Sequence, residues 1–254
     1  MAEVGGYPAV RTYRRRGSRI TPGQADARDR LADRYGFPVD GRPLDLAVLF
    51  GRTAPVVLEI GFGMGEATTA MALAQPATDV LAVDVHAPGH GALLRDVERH
   101  GLTNVRVGDG DALVVLDRML APAALAGIRL FFPDPWPKRR HEKRRLVGPR
   151  FADLAASRLR PGGVLHVATD SRPYADAVVR VVANHPALER TDRAPWRAPT
   201  RFEGQARAAG RPSYDVAAVR VARAAQPVGR VRFQPEQAYP GGLVKQPPSH
   251  SRNL

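Results

Sequence analysis

The sequence predicts an α/β fold with a doubly wound, mostly parallel sheet, and three observations carry that expectation. Between residues 55 and 184, short apolar runs alternate with helix-length segments of about ten residues. The first run, Val56 to Ile60, breaks into the turn Gly61-Phe62-Gly63-Met64-Gly65. Acidic residues recur where runs end, at Asp84, at Asp109 and Asp111, at Asp134 and at Asp170. Strand ends are where open α/β sheets hold their ligands.

Residues 1–50 read as a basic N-terminal arm and linker. Arg11, Arg14, Arg15, Arg16 and Arg19 are interleaved with Tyr7 and Tyr13, a composition suited to phosphate contact. A Thr21-Pro22-Gly23 break follows, then a short helix and a Pro/Gly-broken linker over residues 26–50. Residues 51–223 form the main domain. After strand Val56 to Ile60 and the glycine turn come helix Glu66 to Ala74 and strand Val80 to Val83, which ends in Asp84. Helix Ala92 to His100, strand Val105 to Val107, helix Ala112 to Leu120 and strand Ile128 to Phe132 continue the alternation. A helix from Arg150 to Leu159 meets the stop signal Pro161-Gly162-Gly163, before strand Val164 to Ala168 and helix Tyr174 to Asn184. Residues 193–212 read as irregular, and Ser213 to Val221 as one more strand. Residues 224–254, dominated by Pro, Gly, Gln and Arg, read as a disordered extension.

Composition narrows the function. A formal net charge of +13 over 254 residues points to a polyanionic partner, nucleic acid ahead of a membrane surface. There is no cysteine, which excludes disulfides, thiolate chemistry and Cys-based zinc sites. His86, His141 and His166 lack the spacing of a metal site, so no metal is expected. No run of 18 apolar residues and no apolar leader segment occur, so the expected location is cytoplasmic, without a membrane partner.

The densest stretch is Phe131 to Leu146, FFPDPWPKRRHEKRRL. Its three prolines, spaced by two, make a stiff non-helical loop, because each fixes its own φ and pushes its predecessor toward extended backbone. Such a loop fixes the direction of Asp134 and Trp136 at little entropic cost. Six Lys or Arg follow within eight residues, from Lys138 to Arg145.

The glycine turn admits close approach of a ligand to backbone and opens a helix whose positive end faces it. Asp84 then stands where an acid holds the ribose hydroxyls of an adenosine. A dinucleotide fingerprint requires a third glycine where this chain has Glu66, and a pyrophosphate would also meet Glu59. A nucleoside with a cationic centre fits better, and S-adenosylmethionine is one. Of Asp109 and Asp111, one suits the adenine amine and the other a turn or helix N-cap.

The segments LEIGFGMGE, VDVHAPG, FFPDPWPKRRHEKRR, ATD and TRFE, in this order and spacing, resemble the bacterial tRNA (guanine-N7-)-methyltransferases. The resemblance runs from about Arg11 to Val221, with RTYRRRGSRIT similar to the family's N-terminal segment. It implies a Rossmann-like class I methyltransferase fold, with S-adenosylmethionine as methyl donor. The implied acceptor is N7 of a tRNA guanine, variable-loop guanine 46. It further implies that Glu59, Gly61, Gly63, Asp84, Asp111 and Asp134 surround the cofactor and that Asp134 is catalytic. Lys138, Asp170, Thr200, Arg201, Phe202 and Glu203 are then substrate contacts. Arg140, His141, Glu142, Lys143, Arg144 and Arg145 meet the RNA. The partner is tRNA, with no obligatory protein partner and a monomeric or homodimeric enzyme. Three departures stand out: Asp84 replaces a frequent glutamate, Arg201 a usual lysine, and the tail past residue 224 exceeds the family pattern.

Guanine N7 has a lone pair and no proton, so methylation needs alignment rather than a base. The product is cationic, so a carboxylate such as Asp134 or Asp170 stabilises the developing charge. Trp136 reads either as a stacking partner for the base or as a buried structural ring. Two other readings compete. A nicotinamide oxidoreductase is disfavoured by Glu66 and the lack of a hydride-relay constellation. An RNA-binding protein without activity has no need of Glu59, Asp84, Asp134 and Asp170 together.

Overall fold

The computed structural model describes residues 12–13 and 19–222. The expected extension over residues 224–254 and most of the basic arm lie outside them. The elements are α1 (Pro22–Tyr35), β1 (Gly36–Pro38), α2 (Leu46–Phe50), β2 (Val56–Ile60), α3 (Glu66–Ala74), β3 (Asp79–Asp84), α4 (Ala87–Arg99), β4 (Val105–Asp109) and α5 (Ala112–Val114). They continue with β5 (Leu125–Phe131), α6 (Pro149–Arg158), β6 (Leu159–Thr169), α7 (Arg172–Ala183), β7 (Leu188–Thr191), α8 (Arg201–Ala208) and β8 (Tyr214–Arg220).

The eight strands form one sheet in the order β1-β4-β3-β2-β5-β6-β8-β7. All pairings from β1 to β6 are parallel, and β8 runs antiparallel to both β6 and β7. Parallel strands are covered on both faces, so they read as unbroken apolar runs. β2 is buried at every position. Along β3, Val80 and Ala82 enter a layer with α1, α3 and α4, while Leu81 and Val83 enter the opposite layer with α5, α6 and α7.

Several elements differ from the sequence expectation. α2 and β7 lie where no such element is expected, β6 starts at Leu159 and runs through the expected stop at Pro161-Gly162-Gly163, and the helix expected over Ala112 to Leu120 is α5 followed by a π-helical turn over Val115–Met119. α1 begins at Pro22, where Thr21 and Gln24 close a capping box around the Thr21-Pro22-Gly23 break. β1 turns part of the expected linker into an edge strand. α4 begins at Ala87 instead of Ala92, because Pro88 occupies the first turn, where its missing N–H costs nothing. Its glycines are contact points rather than breaks. A Cβ on Gly89 would lie 1.8 Å from the Gly63 carbonyl oxygen, and one on Gly91 would lie 2.3 Å from that of Gln24. Within the stretch expected to be irregular, residues 201–208 form α8.

Candidate active site

Because β2 to β6 run in parallel, their C-terminal ends share one sheet edge. That edge gathers Glu59 and the glycine turn, Asp84, Asp109 and Asp111, Asp134, and Asp170. β8 starts at the same edge, with Tyr214 and Asp215 opposite Thr169 and Ala168. The chain just before it, including Thr200 to Glu203, therefore arrives there as well.

Gly61, Gly63 and Gly65 all have positive φ, at 76°, 62° and 89°. A Cβ on Gly61 or Gly63 would meet nothing within 4 Å, so this side of the turn is open. At Gly65 it would lie 2.8 Å from the Leu93 Cβ, which closes the other side. Asp84 fastens the turn: its carboxylate accepts from the backbone N–H groups of Gly63 at 2.8 Å, Val85 at 2.7 Å and His86 at 3.0 Å.

Glu59 is 4% exposed. Its Oε1 accepts from the Thr68 hydroxyl at 2.8 Å, while Oε2 is buried with no protein partner among the described residues. Burial pushes the Glu59 carboxyl up, and the Arg129 charge and the Thr68 hydrogen bond oppose that push. Arg129 stands beside it in register on β5 and donates to Gln75 Oε1 at 2.8 Å. Asp111 N-caps α5 by accepting from Leu113 N–H at 2.9 Å, and burial raises its carboxyl. Asp109 is committed elsewhere, paired with Arg28 of α1 at 2.8 Å.

The loop after β5 is tightly held. Phe132 and Trp136 adopt left-handed φ values of 52° and 43°, rare for bulky residues and a mark of backbone held in place by its surroundings. Phe132 N–H donates to Ala168 O at 2.7 Å, and Arg145 Nε to Pro135 O at 3.1 Å. Arg145 lies over the buried Tyr174 ring, whose hydroxyl accepts from Val147 N–H at 3.2 Å. Burial pushes that phenol up to about 12.

Trp136 is 4% exposed and donates its indole N–H to Thr12 O at 3.1 Å, with Arg144 over its ring and His141 at its edge. It is a structural ring, which decides between the two sequence readings. Lys138, Arg139, Arg140, Glu142 and Lys143 are exposed around a 3-10 turn over Arg139–Arg144. Arg145 departs from the expected outward set. Its side chain is 7% exposed because it braces the loop from within.

The second half of the site is organised by a residue that sequence reasoning missed, Arg197. Its guanidinium donates to Glu203 at 2.6 and 3.1 Å and to Asp215 at 2.7 and 3.0 Å. It also lies 5.5 Å and 5.8 Å from the ring centres of Phe131 and Phe132. His166 Nε2 meets the same Asp215 at 2.7 Å. Burial alone would raise Asp215, but the hydrogen bonds from His166 and Arg197 outweigh it and hold the carboxyl well below the usual range. The Arg197 hydrogen bonds likewise lower Glu203. Thr200 N-caps α8 by accepting from Glu203 N–H at 3.1 Å, leaving Arg201 and Phe202 exposed. Asp170 pairs with Arg211 at 2.9 Å. No group of His, Asp or Glu suited to a metal occurs among the described residues.

The sequence has counterparts in known proteins. A family described as "Putative methyltransferase" matches residues 53–216. A protein of Streptomyces avermitilis named tRNA (guanine-N(7)-)-methyltransferase is 55% identical over 77% of this chain and 70% of its own length. Proteins of the same name from Streptomyces coelicolor and Nitrosospira multiformis are 54% and 45% identical, the latter over 85% of this chain and 96% of its own. With the parallel sheet, the open glycine turn and the acid-lined edge, these matches place the chain in the family of bacterial tRNA (guanine-N7-)-methyltransferases.

Proposed function

We propose that this protein transfers a methyl group from S-adenosylmethionine to N7 of a guanine in tRNA, at variable-loop guanine 46. The observation that carries the reading is the single sheet edge on which an acid-lined, open glycine turn meets an exposed basic stretch. The residues fit a cationic nucleoside. Gly61 and Gly63 leave room beside the backbone, and Glu59 keeps a buried carboxylate oxygen without a protein partner among the described residues. Asp84 is oriented by three backbone donors. When bound, the cofactor supplies an electrophilic methyl carbon on a sulfonium. Glu59 and Asp134 favour that cation, Asp84 the ribose hydroxyls, and Asp111, rather than Asp109, the adenine amine.

Guanine N7 carries a lone pair and no proton, so no residue of this chain would have to remove a proton before N7 accepts a methyl group. Asp134 orients the reactants and stabilises the positive charge arising on the base. Lys138, Asp170 and the segment Thr200 to Glu203 hold the guanine and its nucleotide. Arg140, His141, Lys143 and Arg144 take phosphates, positioning the RNA without reading sequence. No helix among the described residues is long and apolar enough to cross a membrane. We read the enzyme as cytoplasmic, acting on tRNA without an obligatory protein partner.

The test is to incubate the purified protein with S-adenosylmethionine and unmodified tRNA, digest the RNA and search for 7-methylguanosine by mass spectrometry. Its appearance at position 46 is the expected result. Cofactor binding without product would overturn the acceptor, and neither binding nor product would overturn the reaction.

A further inference from the structure

Two aromatic side chains are exposed among the described residues, Trp196 at 55% and Phe202 at 39%. Each immediately precedes a residue that points inward. Arg197 and Glu203 clasp one another through two hydrogen bonds, and Arg197 is bound a second time to Asp215. The clasp fixes the backbone beside both rings, so little backbone freedom remains to be lost there on binding. Phe202 belongs to the segment already assigned to the substrate, and Trp196 to nothing so far.

Trp136 has no face to offer RNA. It is buried, its N–H is bonded to Thr12 and its ring is covered by Arg144. A stacking platform on this side of the molecule must come from elsewhere. Trp196 sits among Arg193, Ala194, Pro195 and Arg197, and Arg201 follows closely. A docked protein would want a contiguous apolar patch around an exposed tryptophan. An unstacked base wants only a π-face and nearby cations.

We propose that Trp196 is a base-stacking residue of the RNA site, with its indole taking the face of an unstacked tRNA base beside the target guanine. Arg197 is the positioning residue that holds it out. The inference rests on the tRNA reading above. It adds a recognition element, because a guanine in folded tRNA must be unstacked or presented by the fold before N7 is reachable.

The experiment uses the full chain and fluorescently labelled, unmodified tRNA, with affinity measured at several salt concentrations for the wild type, W196A and W196F. W196A is expected to weaken binding by about 5- to 100-fold. W196F should stay within about threefold of the wild type, since a phenyl face still stacks. The slope of affinity against salt should not change in either variant, because no charge is removed. Tryptophan emission should fall when tRNA binds the wild type and hold steady in W196F. Unchanged tRNA affinity in W196A overturns the proposal, as does a loss that comes with an altered salt slope or a shifted melting temperature. If the wild type forms 7-methylguanosine while W196A binds normally, the stacking role fails and the reaction stands. If tRNA binds with the expected W196A defect but no product forms, the reaction fails and the stacking role stands. No tRNA binding at all overturns both.

Discussion

Glu59 and Arg129 lie side by side in register on β2 and β5, both buried, and each keeps one polar side-chain atom without a protein partner among the described residues. The pair is a half-satisfied charge couple at the root of the glycine turn. Its missing interaction is one that a cationic ligand can supply to Glu59.

The first prediction is a pH dependence of cofactor binding. Burial raises the Glu59 carboxyl, so it takes up a proton at a higher pH than an ordinary glutamate. As pH falls through that raised value the carboxylate is neutralised and affinity for S-adenosylmethionine drops. Stability responds with the opposite sign, because ionised Glu59 is a cost at neutral pH that acidification relieves. Calorimetric titrations should show E59Q about tenfold weaker or more at neutral pH, without the acid limb. Removing the opposing charge in R129M should move that limb to higher pH.

The second concerns Arg197. Its carboxylate partners are depressed, so the stability they contribute is present above their ordinary values and lost as pH falls through the lowered ones. Removing Arg197 leaves two partly buried carboxylates short of a partner, a cost of about 3 kcal/mol. R197M should melt roughly 6–12 °C lower at neutral pH, with the gap to wild type narrowing in acid. A gap independent of pH would show that the clasp is not ionic. tRNA kcat/KM should fall while cofactor affinity holds.

The third places Asp134. D134N keeps the shape and removes the charge, so the rate of 7-methylguanosine formation should drop by about 100-fold or more. The Pro133 and Pro135 rings keep the loop in place, and the melting temperature should hardly move. Full activity in D134N would take the carboxylate out of the chemistry.

The fourth tests the packing behind the glycine turn. An alanine methyl at Gly89 meets the Gly63 carbonyl oxygen at 1.8 Å. G89A is expected to cost about 1–3 kcal/mol and to displace the turn, lowering cofactor affinity. Gly204 on α8 has open space around it and no positive φ, so G204A should be neutral or gain about 0.5–1 kcal/mol. Denaturant melts of the two variants make the comparison.

Much of this arrangement was legible in the order of residues. β2, the glycine turn, α3 and Asp84 are a fully buried strand, a turn requiring φ above zero, and an acid at the next strand end, each a local pattern. α8 was not legible, because only Glu203 and Ala206 are buried and no apolar period develops. The available signal was the spacing of Thr200 and Glu203, that of a capping box, although Glu203 turns to Arg197 instead of the cap. Arg197 itself has no motif, since its role is set by Asp215 on β8. Trp136 was not legible from its neighbours because the group that takes its indole N–H, the Thr12 carbonyl, lies 124 residues away.

That last distance has a consequence for how the protein is made. During synthesis at about 5–20 residues per second, residue 12 waits roughly 6–25 s before residue 136 exists to meet it. Closing so long a loop is entropically costly and slow compared with local pairing, so the loop after β5 should be among the last regions to lock.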